Sequence, residues 1–226
     1  MQAHPRIAID GGAGVGKSTI GERLARRLGN PYIDTGAFYR ALTALALEAG
    51  VAPEDAAALQ RLAETMPIVI APPAATETDG RQYTVLVGGR DYTPLLRTPT
   101  VEAAVSRVSS HPAVRTALIR RMRELAEAHG VVMVGRDIGT VVLPDADLKI
   151  FLTTSPEERA RRRHADLVAK YGDAAPALET VRREIEQRDA IDAPNMQAAH
   201  DARTIDNTFL QADEVVQIIE GYLSEG

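Results

Sequence analysis

A glycine-rich segment near the start of the chain has the residue types and spacing to hold a polyphosphate. The segment GGAGVGKS, residues 11–18, fits the pattern G-x-x-x-x-G-K-[ST]. Its glycines let successive backbone N–H groups point inward at an anion, its lysine reaches the terminal phosphates, and its serine hydroxyl ligates Mg²⁺. The residues predicted to bind a nucleoside triphosphate are Gly11, Gly12, Ala13, Gly14, Val15, Gly16, Lys17, Ser18 and Thr19, with Ser18 also predicted as the metal ligand. Residues 11–18 are called the phosphate-binding loop below.

Arginine supplies most of the positive charge. Only three of the 26 Lys and Arg residues are lysine. Genomic base composition explains many surface arginines, but the planar guanidinium also binds phosphate oxygens in pairs, so position decides which arginines matter. Arg136 directly follows an apolar run, and Arg159, Arg162 and Arg163 share a helix face by their i, i+3, i+4 spacing.

Short apolar runs alternate with helical patterns along most of the chain. Strands are predicted at 7–9, 32–33, 131–134, 148–152 and 204–205. In the first half of the chain, helices are predicted from the loop to 29, from 34–36 to about 49, and over 54–65, 99–110 and 112–129. In the second half, one helix is predicted from 156 to a break at Gly172, another from there to about 188, and a last one from about 212. This alternation predicts an α/β fold, a five-stranded parallel sheet with helices on both faces. Ligands then bind at the carboxyl ends of the strands, where the polar residues of this chain fall.

Residues 67–98 differ from this alternating pattern. They contain two apolar β-runs, a loop rich in proline, alanine and threonine, and a Gly88–Gly89 turn into a third short strand. That texture predicts a small antiparallel meander inserted into the α/β pattern.

Composition excludes several classes of protein. The net charge of −5 argues against a general surface for polymeric nucleic acid, and the absence of cysteine excludes disulfides and thiol chemistry. No apolar signal segment or membrane-spanning run is present, so a cytoplasmic enzyme that does not contact a membrane is expected.

The loop alone fits a switch GTPase, an ATP-driven motor or a small-molecule kinase. A GTPase would carry an N-K-x-D segment, and this sequence has none. Large ATPases need a longer chain. A kinase needs a second anion site and cations that screen two phosphate groups, and the sequence offers both.

Three further segments carry a specific resemblance. IDTGAFYRALT (33–43), VGRDIGTVVLPDADLKIFLTTSPEERARRR (134–163) and EIEQRDAID (184–192) occur in this order. The chain resembles the bacterial cytidylate (CMP/dCMP) kinase family, a branch of the P-loop nucleoside monophosphate kinases, from about residue 6 to residue 220. The resemblance implies a P-loop core over 1–35 and 127–226, with a short helical lid at about 153–175. It implies a CMP-binding domain over 36–126 that contains the antiparallel insert.

The resemblance also implies residue roles. Ser106 and Arg115 would read the cytosine ring, with Asp137 accepting from the cytosine amino group. The implied CMP-binding residues are Thr35, Tyr39, Arg40, Ser106, Arg115, Arg136, Asp137, Arg188 and Asp192. The implied catalytic cations are Lys17, Arg136, Arg159, Arg162 and Arg163, the last three in a lid over the triphosphate.

The implied activity is transfer of the γ-phosphoryl group of ATP, with Mg²⁺, to CMP and also dCMP, by a monomeric enzyme. Two alternatives stay open: a P-loop kinase with another acceptor, such as UMP, AMP or a phosphorylated metabolite, and a non-catalytic regulator that binds nucleotides. The sequence departs from the family at Asn195, where family members carry a phosphate-binding arginine. We expect a nearby group to compensate, with Arg203 as the candidate.

Overall fold

The computed structural model of the chain describes residues 4–193 and 196–224. Its elements, in chain order, are β1 (Arg6–Gly11), α1 (Lys17–Leu28), β2 (Tyr32–Asp34), α2 (Thr35–Glu48), α3 (Ala56–Thr65), β3 (Ile68–Ala71), β4 (Thr84–Val87), β5 (Arg90–Asp91), α4 (Pro99–Ser110), α5 (Pro112–His129), β6 (Val131–Gly135), β7 (Leu148–Thr153), α6 (Pro156–Tyr171), α7 (Leu178–Asp192), β8 (Arg203–Asp206) and α8 (Ala212–Ser224).

Two compact units make up the chain. We call Met1–Tyr32 together with His129–Gly226 the core unit, and Ile33–Ala128 the inserted unit. The boundaries predicted from the sequence lie within three residues of this division. The nucleotide assigned to each unit stays a prediction.

The large sheet has the strand order β2-β6-β1-β7-β8, which confirms the predicted five-stranded parallel sheet. β1 pairs in parallel with both β6 and β7, and β7 pairs in parallel with β8. The register sets Asp10 of β1 opposite Gly135 of β6 and Phe151 of β7. The carboxyl ends of the three central strands are therefore level, so the segments that follow them share one edge of the sheet.

Both faces of the central strands are covered. Leu24 of α1 and Ile219 of α8 pack with Ile9 of β1 in one core cluster, and all three are fully buried. Ala8 and Met133, whose side chains point to the opposite face, are also fully buried. Burial on both faces explains why these strands are apolar at consecutive positions. The phosphate-binding loop therefore follows a strand, β1, that is held rigidly on both sides.

Two features of the core unit differ from the prediction. α7 continues to Asp192, about one turn beyond the predicted end near Arg188, because Asp192 pairs with Arg188 at 3.2 Å and with Arg136 at 2.8 Å. After β6 the chain forms one turn of π-helix, Ile138–Val142, that the apolar pattern did not indicate. Both features depend on contacts with distant parts of the chain.

The inserted unit contains the predicted meander as a three-stranded antiparallel sheet in the order β3-β4-β5. α2 begins where expected, because the Asp34 carboxylate caps it by accepting from the Gly36 N–H at 2.9 Å. α3 begins two residues later than predicted, at Ala56, since Asp55 is its capping residue. α4 and α5 have the predicted bounds.

Within residues 4–193 and 196–224, every helix is too short or too polar to cross a bilayer.

Candidate active site

The phosphate-binding loop connects β1 to α1 through two glycines that no other residue could replace without strain. Gly11 has φ 149° and lies so close to β7 that a Cβ would be 2.4 Å from the Leu152 carbonyl oxygen. Gly16, with φ 88°, is the residue before the first turn of α1. Glycine adopts these left-handed conformations without steric cost, so the loop can curl tightly against the sheet.

The first turn of α1 is suited to bind an anion. Gly16 contributes no side-chain cap, and the turn contains no acidic residue. The N–H groups at this end and the helix dipole therefore favour a negatively charged ligand. Lys17 is buried, and its Nζ donates to the carbonyl oxygens of Gly11 at 2.7 Å and Gly12 at 2.5 Å. The cation thus lies inside the curl of the loop.

Asp10 connects the loop to the segment after β6, a role that sequence reasoning missed. Its buried carboxylate accepts from the N–H groups of Ile138 at 2.8 Å and Gly139 at 2.7 Å. Burial raises the pKa of Asp10, the nearby Asp137 raises it further, and the two backbone donors and Lys17 act in the opposite direction. These bonds fix the π-helical turn, and with it the two residues that precede the turn.

Three of the residues predicted to contact CMP form one cluster in the core unit. Asp192 Oδ2 accepts from Arg136 Nε at 2.8 Å and from Arg188 Nε at 3.2 Å. The three side chains are 15–33% exposed. The cluster lies where β6 ends and α7 ends, and it sets two guanidinium groups around one carboxylate.

The predicted lid arginines do not share one environment, contrary to their spacing. Arg159 is buried, and its Nη1 pairs with Asp189 at 2.5 Å and donates to the Ala13 carbonyl at 3.1 Å. Arg162 pairs with Glu158 at 2.8 Å and donates to the Asn207 carbonyl.

Arg163, the third arginine of this set, is exposed and has no ion-pair partner within the described ranges. Arg163 lies one turn further along α6 than Arg159, and at that position its side chain is exposed. The structure therefore brings Arg159 to the loop but leaves Arg163 at the surface.

Asn207 is a second residue that sequence reasoning missed. It follows β8, is 1% exposed, and its amide donates to the carbonyl of Val15 in the loop at 2.8 Å. Its side-chain oxygen accepts a short hydrogen bond from Thr154, which follows β7. Its sequence signal is a polar residue shortly after the predicted strand 204–205, since ligands bind at the carboxyl ends of parallel strands.

In the inserted unit, the predicted acceptor residues lie on α2, α4 and α5. The Arg115 guanidinium stacks over the Tyr39 ring at 5.9 Å from its centroid, so these two predicted residues are in contact. Arg40 is half-buried, and its Nε donates to Glu102 at 3.0 Å. Thr35 is buried at the start of α2, and Ser106 is half-buried on α4.

The electrostatics of this unit keep Arg40 charged and the nearby tyrosine neutral. Burial lowers the pKa of the Arg40 guanidinium, but Glu102 and Asp34 more than offset this, and the net pKa is raised. Burial and the Asp34 charge raise the pKa of the Tyr83 hydroxyl. Arg40 is the one basic residue of α2, and its charge is paired with Glu102.

The departure at Asn195 falls outside the described residues. Arg203, which was expected to replace the missing arginine, is the first residue of β8. Its guanidinium stacks on Tyr222 of α8, 4.3 Å from the ring centroid. This position is near the amino end of the strand, whereas Asp206 at the carboxyl end is level with Thr153. The placement argues against Arg203 as the replacement.

The protein offers Mg²⁺ few ligands of its own. Among the described residues no cluster of three or more His, Cys, Asp or Glu side chains could hold a metal ion. Asp10, the carboxylate beside the loop, already accepts two backbone N–H bonds. This donor set fits Mg²⁺, because the ion is commonly bound through a few protein oxygens together with substrate phosphates and water. Ser18, the ligand predicted from the sequence, is half-buried in the first turn of α1.

A parallel sheet whose first strand leads through this loop into a helix is a P-loop nucleotide-binding fold. The family model described as cytidylate kinase matches residues 7–225. The chain therefore belongs to the cytidylate kinase family.

Its relatives extend over nearly the whole chain. It is 48% identical to a cytidylate kinase of Chloroflexus aggregans, over 97% of this chain and 94% of that protein. It is 45% identical to a cytidylate kinase of a Geobacillus species, over 100% of this chain and 99% of the relative. Among solved structures, an uncharacterized protein from Eubacterium ventriosum matches 99% of both chains with a TM-score of 0.53 and 13% identity, a likeness of fold alone.

Proposed function

We propose that this protein transfers the γ-phosphoryl group of ATP to the phosphate of CMP, and also of dCMP, yielding ADP and the nucleoside diphosphate. The observation that carries the proposal is the pairing of β1 with β6, which sets Asp10 opposite Gly135. In a cytidylate kinase family member, this register puts the start of the donor-phosphate loop beside Arg136 and Asp137, the residues implied for the acceptor.

The reaction needs no general base. The acceptor is a phosphate monoester whose second pKa is about 6, so it is already a dianion at neutral pH. One of its oxygens attacks the γ-phosphorus of ATP, the bond from that phosphorus to the β–γ bridging oxygen breaks, and ADP leaves with the electron pair. The work of the protein is to position the two anions and to neutralise the charge that spreads over the transferred group.

Lys17 and the arginines supply that charge. When ATP binds, the Lys17 ammonium leaves the carbonyl oxygens of Gly11 and Gly12 and contacts phosphate oxygens of the donor. Arg159 contacts the same loop at the Ala13 carbonyl oxygen. Arg136 and Arg188 hold the acceptor phosphate, with Asp192 fixing the orientation of both. The Ser18 hydroxyl would hold Mg²⁺, and the bound ion would offset the negative charge of the donor phosphates.

Recognition of the base is assigned to Ser106, Arg115 and Asp137. Cytosine presents an acceptor edge, O2 and N3, next to an amino donor. A hydroxyl and a guanidinium suit the former, and a carboxylate suits the latter. Uracil has a carbonyl in place of the amino group, which would leave the Asp137 carboxylate facing an acceptor.

A coupled assay of ADP release tests the proposal against its alternatives. The purified protein with Mg²⁺ and ATP is given CMP, dCMP, UMP or AMP in parallel. We expect acceptor-dependent turnover that is highest with CMP or dCMP. Highest turnover with UMP or AMP would assign another acceptor, and no acceptor-dependent turnover would favour a regulator that only binds nucleotides.

A further inference from the structure

Asp189 connects α7 to both the phosphate-binding loop and α6. Its Oδ2 pairs with Arg159 Nη1 at 2.5 Å, and its Oδ1 accepts a longer contact from the Ala13 N–H at 3.4 Å. The same Nη1 also donates to the Ala13 carbonyl at 3.1 Å. Asp189 and Arg159 together thus contact both backbone polar groups of one loop residue.

The absence of a side chain at Gly12 lets this ion pair pack closely against the loop backbone. A Cβ at Gly12 would lie 3.1 Å from Arg159 Nη1 and 3.4 Å from Asp189 Oδ1. A Cβ at Gly14 would likewise lie 3.4 Å from the Cβ of Arg159. The ion pair is therefore packed directly against the loop that is predicted to hold the donor phosphates.

Arg159 retains an unused donor in this position. Its side chain is 10% exposed, and its buried Nε–H has no hydrogen-bond acceptor among the described residues. Burying an N–H without a partner is unfavourable, so such a group in a folded protein points to an acceptor that arrives from outside. A phosphate oxygen is the acceptor that a guanidinium beside this loop would meet.

We propose that Asp189 is a positioning residue for phosphoryl transfer. It holds one end of the Arg159 guanidinium on the backbone of Ala13, so that the free Nε–H is preset for the donor phosphates. This inference rests on the proposed kinase function but extends it to a residue that does not itself contact substrate. Asp189 acts through Arg159.

The charge of Asp189 gives the role a kinetic signature. As a carboxylate next to the loop, Asp189 repels the triphosphate in the ground state, and replacing it with asparagine removes that repulsion. The same replacement releases Arg159 from its fixed position, so the transition state loses an oriented cation. The variant should therefore lose turnover without losing affinity for ATP.

The test is a double-mutant cycle with Asp189→Asn, Arg159→Ala and the double variant. For Asp189→Asn we expect kcat to fall about tenfold or more, with the KM for ATP unchanged or lower and the KM for CMP unchanged. In the Arg159→Ala background, the same substitution should change kcat less than threefold. Glu186→Gln, an exposed carboxylate on the same helix, is the matched control and should leave all three constants unchanged.

Three results would overturn the proposal. These are a kcat for Asp189→Asn within threefold of wild type, the full effect persisting in the Arg159→Ala background, or ATP binding weakened tenfold in calorimetry without acceptor. If Asp189→Asn does not fold, Asp189→Glu replaces it in the cycle. Glutamate keeps the charge but displaces Arg159, so the same loss of kcat and the same dependence on Arg159 are expected.

The wild-type protein separates this inference from the proposed function. If it phosphorylates another acceptor better than CMP, the cycle is run with that acceptor, and the choice of CMP fails while Asp189 is still tested. If it shows no acceptor-dependent turnover, both the proposed function and the role of Asp189 in transfer are rejected. Turnover of CMP with an additive cycle rejects the Asp189 inference alone.

Discussion

Lys17 is the side chain on which we expect the donor half of the reaction to depend most. In the structure its ammonium group is buried and contacts the carbonyl oxygens of Gly11 and Gly12. A phosphate oxygen carries more negative charge than a carbonyl oxygen, so we expect ATP to displace these carbonyl contacts of Lys17. Lys17 is assigned to the donor, whereas the acceptor base is assigned to Ser106 and Arg115 of the inserted unit and to Asp137 of the core unit.

We predict that Lys17→Ala lowers kcat by about 10²- to 10³-fold, because one preorganised cation is removed from the transition state. Binding of CMP, measured by calorimetry without ATP, should be unchanged. Arg26→Ala removes an exposed cation from the same helix and serves as the control. A collapse of CMP affinity in a folded Lys17→Ala protein would refute the division into donor and acceptor sites.

Arg115 offers the corresponding test of base reading. Arg115→Met keeps much of the side-chain volume but removes the guanidinium, so a polar edge of cytosine would lose its partner at a cost of about 1–3 kcal/mol. We predict a KM for CMP raised about tenfold or more, and a smaller ratio of CMP to UMP turnover efficiency. Arg120→Met, on the same helix and 72% exposed, should change neither. Unchanged discrimination in Arg115→Met would remove this residue from the cytosine site.

At the scale of elements, the start of α6 shows how one helix end is fixed by two parts of the chain. The sequence SPEE predicts a capping box. Ser155 does accept from the Glu158 N–H, at 3.3 Å, but the reciprocal bond is different: the Ser155 N–H donates to the Thr208 hydroxyl at 2.9 Å. The Glu158 carboxylate pairs instead with Arg161 at 2.7 Å and with Arg162 at 2.8 Å.

This pairing predicts a pH dependence of stability. The Arg161 guanidinium, together with Arg162, lowers the pKa of Glu158 from 4.5 to about 2. A carboxyl group with a lowered pKa in the folded state contributes stability that is complete above its unfolded pKa. That contribution is lost as the pH falls through the folded pKa.

We therefore expect Glu158→Gln to be less stable than wild type in urea unfolding at neutral pH. The difference should shrink as the pH falls from about 5 to about 3. Glu157→Gln, at an exposed neighbouring position, is the control. A difference between Glu158→Gln and wild type that stays constant across this range would show that the ion pairs of Glu158 do not stabilise the fold.

For the whole molecule, the predicted contacts of the two nucleotides are distributed differently over the two units. The groups predicted to bind the donor phosphates belong to the core unit, whereas the groups predicted to bind the acceptor include Ser106 and Arg115 of the inserted unit. A ligand that binds only the folded state stabilises it by an amount that depends on concentration relative to Kd, about 2.7 kcal/mol at 100 times Kd. Thermal unfolding can therefore report each ligand separately.

We predict that Mg²⁺ with ATP raises the Tm of the wild-type protein, and that chelating the metal removes most of the shift. CMP should raise the Tm more than UMP does at equal concentration. In Lys17→Ala the shift with ATP should be reduced and the shift with CMP retained. Loss of both shifts in that variant, with an unchanged Tm of the free protein, would contradict separate contacts for the two nucleotides.

Features that depend on neighbouring residues could be predicted from the sequence. The spacing of residues 11–18 between an apolar run and a helical pattern indicated the loop, and Pro99 and Pro112 marked the starts of α4 and α5. Asp34 marked the start of α2 in the same way. Caps, proline at the first helical position and apolar periodicity act within a few residues, so they are visible in one chain without a structure.

The contacts that assemble the site could not be predicted in this way. Asp10 binds a turn 128 and 129 residues away, Asp189 contacts a loop residue 176 positions earlier, and Asn207 reaches Val15 across 192 positions. The sequence by itself determined the phosphate-binding loop, the alternation of strands and helices, and the family. Only the tertiary structure decided which polar groups hold that loop, because parallel strands bring their carboxyl ends together through long crossovers that leave no trace in local spacing.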